Sequence, residues 1–131
     1  MFLLDTDTII YALNGNPLVL ENLRLHMHEP MHISAVTLME LYYGAHKSQH
    51  VDTNLAKVKM IENSFQILAP GQEAGELFGR LKAGLESKGQ RLDDLDLIVA
   101  VTALARNLVL VTNNQKHFKR IEGLKLTNWT L

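Results

Sequence analysis

At 131 residues, with 47% apolar and 21% charged side chains, the chain has the balance of a soluble globule and the length of one domain, read here as residues 1–131. Without a cysteine there is no disulfide framework, cysteine-ligated metal or thiol nucleophile, and a reducing cytoplasmic setting fits. The formal net charge of −1 gives no overall pull on a polyanion, and no apolar run approaches the roughly 20 residues of a membrane span or reads as a leader.

In chain order, Phe2 to Leu4 reads as a short apolar strand that stops at Asp5-Thr6-Asp7-Thr8. A helix follows, with Ile9, Ile10 and Leu13 as its stripe and Asn14-Gly15 as its end. Asn16-Pro17 starts another, the asparagine as cap and the proline in the first turn; it is expected to run to about Glu29-Pro30. Met31 to Ser34 reads as a second strand, Thr37 to His46 as a helix closed near Gly44, Val51 to Phe65 as a further helix, and Gln66 to Leu68 as a third strand. Glu73 to Ser87 is amphipathic through Ala74, Leu77, Phe78, Leu81 and Leu85. The last elements are a helix in Leu95 to Ala105, a strand in Leu108 to Thr112 and a strand in Leu124 to Thr127. Short apolar strands alternating with helices predict an α/β fold, its mostly parallel sheet covered by helices on both faces.

The segment Leu95 to Ala105 is apolar on every side apart from Asp96 and Thr102, which predicts a helix buried all round. Asp93 and Asp94 read as capping residues at its start. Asp96 lies beyond the cap, between two leucines, and a carboxylate entering a core needs a partner. A helix N-terminus supplies about half a positive charge, so a cation is the remaining candidate.

In parallel α/β folds, sites form outside the carboxyl ends of the strands. Asp5 at the end of the first strand, Glu40 about a turn beyond the second and Asp96 opening the penultimate helix fall on that one edge. Each acid also has a plainer reading. Asp5 caps a helix equally well, Glu40 suits a solvated helix face, and Asp7 is either a cap or a partner standing behind the site. The histidines (His26, His28, His32, His46, His50 and His117) share no metal-ligand spacing and read as surface residues. Convergent carboxylates without histidine or cysteine select a hard cation, Mg²⁺ or Mn²⁺, and the matching chemistry is metal-assisted phosphodiester hydrolysis.

The stretches FLLDTDTII, ISAVTLMELYYGA, LDDLDLIVAVTAL and LVLVTNNQKHFKRIEGLKLTNW, in this order, resemble the PIN-domain ribonucleases and, within them, the VapC-type toxins of toxin–antitoxin pairs. The resemblance implies a three-layer fold around a five-stranded sheet, and catalytic acids at Asp5, Glu40 and Asp96, with Asp5 and Asp96 on the metal. It assigns supporting places to Thr6, Thr112 and Asn114, the last standing neutral where many relatives carry a fourth acid. It also implies a homodimer, a small DNA-binding antitoxin whose C-terminal tail covers the site, and a structured RNA substrate, with transfer RNA ahead of ribosomal RNA. Lys82, Lys88, Arg91, Lys116 and Lys119 are the candidate phosphate contacts; no ladder of stacking aromatics is visible. A haloacid-dehalogenase-type phosphatase would share the Asp5/Asp7 pair, but its closing acidic motif should follow the LVLVT strand, and here LDDLD precedes it. A PIN-like scaffold that has lost catalysis and only binds RNA or protein has Asn114 as its sole support.

Overall fold

The computed structural model describes residues 1–131. Phe2–Leu4 (β1) leads into Thr6–Leu13 (α1) and Pro17–Leu25 (α2), and Met31–Ser34 (β2) leads into Ala35–Lys47 (α3) and Val51–Ser64 (α4). Then come Gln66–Leu68 (β3), Gln72–Ser87 (α5), Asp94–Ala105 (α6), Val109–Val111 (β4), Gln115–Phe118 (α7) and Leu126–Thr127 (β5). All four strand pairings are parallel, in the order β3-β2-β1-β4-β5. The first strand is therefore the central one, flanked by β2 through Leu3↔His32 and by β4 through Leu3↔Leu110.

Successive residues of a strand point to opposite faces, and here that alternation divides the core in two. Leu3 and Leu110 enter a cluster with Leu97, Val101, Leu85 and Phe118. Leu4, Val111 and Ile33 enter another with Ile9, Val19, Leu41 and Val58. Helices α5 and α6 thus cover one face and α1 to α4 the other, which gives the expected three layers. None of the helices is long and apolar enough to cross a membrane.

Several element ends differ from the sequence reading. Ser34 ends β2 and also caps α3, its hydroxyl accepting from the Val36 and Thr37 N–H groups at 2.9 and 3.4 Å. Helix α3 therefore starts two residues before Thr37, and it runs through Gly44 to Lys47. Asn16 caps α2 as expected, with Pro17 in its first turn, but that helix stops at Leu25, and turns occupy the following residues. The short α7 was not anticipated. Helix α6 is not buried all round: Leu95 is 40% exposed, because the first turn of the helix rises past the sheet edge, while Leu97 and Val99 to Ala103 are buried.

Candidate active site

Asp5 follows directly on β1, and its backbone N–H still donates to the Val111 carbonyl at 3.0 Å. Its carboxylate, 8% exposed, accepts from the Thr8 N–H at 2.8 Å and so caps α1. The Thr8 hydroxyl donates to the Val111 carbonyl at 3.1 Å, tying the first turn of α1 to β4. Burial pushes the Asp5 carboxyl above its usual range, opposed by hydrogen bonds from Thr112 and the Thr8 backbone. Thr112 is itself buried and accepts from the Asn114 N–H at 2.9 Å, which leaves its own hydroxyl proton for Asp5.

Glu40 projects from α3 toward α1. The Thr6 hydroxyl donates to its Oε1 at 2.6 Å, and the hydroxyl of buried Thr37 lies 3.1 Å from the same Thr6 oxygen. Thr6 has one proton to give; with that proton on Glu40, the Thr37 contact requires Thr37 to act as donor. A threonine relay therefore fixes the glutamate, and the plain reading of Glu40 as a solvated helix residue fails.

Asp96, half-buried in the first turn of α6, has its pKa raised from 3.8 to about 6. Burial is the main cause, followed by the charges of Asp93, Glu40, Asp5 and Asp7. The chain's ion pairs leave Asp5, Glu40 and Asp96 without a cation. Asp5, Thr6, Asp7, Glu40, Asp96 and Val99 line a pit of about 70 Å³, large enough for ordered water or a small ion. No set of three His, Asp or Glu side chains is placed to hold an ion unaided.

The remaining sequence candidates divide. Asp7 is exposed in the first turn of α1 and lines the pit; Asp5, not Asp7, is the cap. Asp93 sits at the cap position of α6 without a side-chain capping bond, and Asp94 pairs with Lys82 at 3.0 Å, so neither caps as expected. Asn114 precedes α7 and does not line the pit. Lys82 is tied to Asp94, and Arg91 pairs with Glu86 at 3.4 Å. Lys88, Lys116 and Lys119 form no ion pair. Lys88 and Arg91 lie in the connection between α5 and α6, and Lys116 and Lys119 in or just after α7. Both segments border the edge where the strands end. Two residues escaped the sequence reading. Thr37 was hidden by its ordinary place in a helix, and nothing in the sequence singled out Tyr43, 66% exposed beside the site.

A family model described as the PIN domain matches residues 2–124. The chain belongs to the PIN domain family. This PIN chain is 37% identical over 131 residues to ribonuclease VapC2 of Rickettsia felis, covering 98% of each chain. It is 36% identical over 130 residues to the tRNA(fMet)-specific endonuclease VapC of Shigella flexneri, again covering 98% of each. Among solved structures, DNA-bound VapBC from Salmonella typhimurium matches with a TM-score of 0.91 at 37% identity, over 98% of this chain and 97% of that one. Within the PIN family, its full-length resemblance is therefore to VapC ribonucleases.

Proposed function

We propose that residues 1–131 form a single PIN domain acting as a divalent-metal-dependent endoribonuclease, the toxin of a VapBC-type toxin–antitoxin pair. One observation carries the reading. Asp5 at the end of β1, Glu40 on α3 and Asp96 on α6 meet in a small pit without a cation, and burial, with the surrounding carboxylates, holds Asp96 at a pKa of about 6. The donor set is oxygen only, which fits Mg²⁺, with Mn²⁺ as a substitute. Asp5 and Asp96 would hold the ion, whose contribution is to neutralise charge on the phosphodiester under attack. Glu40, oriented by Thr6 and Thr37, takes the proton of the water that adds to phosphorus. The bond from phosphorus to the leaving nucleoside oxygen then breaks, and that oxygen takes a proton from solvent. Asp7 adds negative charge at the mouth of the pit, and Thr112 and Asn114 hold the β4 end against Asp5.

A relative named for tRNA(fMet) makes a transfer RNA the favoured substrate, cut in a loop, with a ribosomal RNA loop second. Lys82, Lys88, Arg91, Lys116 and Lys119 are the proposed phosphate contacts, of which Lys82 and Arg91 must first leave their carboxylate partners. A homodimer would present two such edges to a folded RNA. The partner is a small DNA-binding antitoxin whose C-terminal tail lays an arginine or lysine across the acids, since a cation is what the pit lacks.

Purified protein incubated with transfer RNA tests the reading. Discrete cuts are expected with Mg²⁺, loss of cutting with a chelator, and recovery with Mn²⁺. Cutting that survives the chelator removes the metal assignment. Metal-loaded protein that binds RNA without cutting any is the inactive scaffold, and phosphate release from small esters marks the phosphatase.

A further inference from the structure

Beside the acid pit opens a second, larger cavity of about 500 Å³ that shares Thr6, Asp7 and Glu40 as walls. Its remaining lining is Ile10, Val36, Met39, Tyr43 and Leu95, apolar side chains from α1, α3 and α6. Ile10, Leu95, Met39 and Tyr43 are 42%, 40%, 60% and 66% exposed. Isolated exposed apolar residues are ordinary, but several converging on one cavity next to a reactive site mark a binding surface. One turn further along α3, the Lys47 ammonium lies 5.5 Å from the centre of the Tyr43 ring.

We infer that this cavity receives the nucleobase next to the scissile phosphate, stacked against Tyr43, with Lys47 pairing the next phosphate along the strand. The inference rests on the nuclease reading of the adjoining acids and adds a subsite to it. An apolar floor, one exposed ring and one cation together match what a single unstacked nucleotide presents: a flat π-face and a backbone charge. An apolar peptide side chain would fill the floor but would leave Lys47 unused. The shared walls place the base and the attacked phosphate in neighbouring compartments, as consecutive parts of one nucleotide require. Only a base already out of its helix can enter, so the subsite selects loops over duplexes.

The probe is an anticodon stem–loop RNA with its cut position mapped, together with versions lacking the base on either side of the cut. Tyr43→Ala should lower kcat/KM by about 5- to 150-fold, the range expected for one lost base stack, while Tyr43→Phe stays near the native value. One abasic substitution should slow the native enzyme by a similar factor and slow Tyr43→Ala no further. Penalties that multiply independently would overturn the inference. So would a Tyr43→Ala protein that cuts normally but escapes inhibition by the antitoxin, which would make the cavity a protein site. Anisotropy with the same RNA in the presence of a chelator, where the proposed metal-assisted hydrolysis stops, separates this subsite from the nuclease reading. Weaker binding by Tyr43→Ala, with no cutting by the native protein once Mg²⁺ is restored, keeps the subsite and removes the nuclease. Equal binding by both proteins, or none by either, removes the subsite.

Discussion

Asp5 and Asp96 face the same pit, yet the fold treats them differently. Asp5 is the more deeply buried but is provided for, with the Thr8 N–H and the Thr112 hydroxyl stabilising its charge. Asp96 is less buried and has no such donors, only carboxylates around it, and its pKa rises to about 6. One acid serves the fold as a cap as well as the site. The other has no ion pair within the chain and only carboxylates as charged neighbours, a shortage that a bound cation of the kind proposed above would relieve. Burial alone therefore does not identify a functional acid; the shortage of partners does.

The largest test of this contrast is catalytic. Asp5→Asn and Asp96→Asn should each lower RNA cleavage by at least ~100-fold, because loss of either ligand removes the metal's charge stabilisation. Single-turnover assays on protein freed of contaminating nuclease read the effect. Near-native cleavage by either variant breaks the pairing of the two acids.

Stability should then separate the acids. Asp5→Ala removes the α1 cap and should cost about 1 kcal/mol. Asp96→Asn should instead stabilise the metal-free protein at pH 7. The sign follows from linkage: the folded-state pKa of Asp96 lies above the ordinary value of about 3.9, so the folded state holds the proton more tightly than the unfolded state does. Its contribution is most favourable below about pH 4 and is lost as pH rises through 6. Urea melts of metal-free protein from pH 4.5 to 7.5 should show the native chain losing ground to Asp96→Asn across that interval. Parallel curves would mean that Asp96 is relieved by a partner within the fold.

The smallest effect concerns Asn114. Asn114→Asp, at the end of the strand that supports Asp5, should tighten Mn²⁺ binding a few-fold in calorimetry. Unchanged binding would place its side chain away from the ion and leave Asp5 and Asp96 as the whole protein contribution.

The sheet was legible because each strand is a short apolar run broken by polar residues, and the three acids because topology sends strand ends to one edge. Asp96 was conspicuous through its leucine neighbours. What the sequence could not convey was neighbourhood. Leu95 continued an apolar run, yet it surfaces beside Met39 and Tyr43, residues more than fifty positions away. Thr37 became part of the site only once Thr6 and Glu40 were placed on either side of it. The start of α3 was in reach: Ser34 is a strong capping residue, overlooked because it also completed a strand.

The central position of β1 bears on when the proposed site can first act. Asp5 is held in place by β4 contacts from Val111 and Thr112, made by residues synthesised more than a hundred positions later. At about 5–20 residues per second, Asp5 waits on the order of 5 to 20 seconds for the strand that completes its surroundings. A nascent chain on a ribosome therefore carries the first acid without an assembled site. On the nuclease reading, cleavage would begin only after the chain is almost finished, so the site and the surface that a partner must cover are completed together.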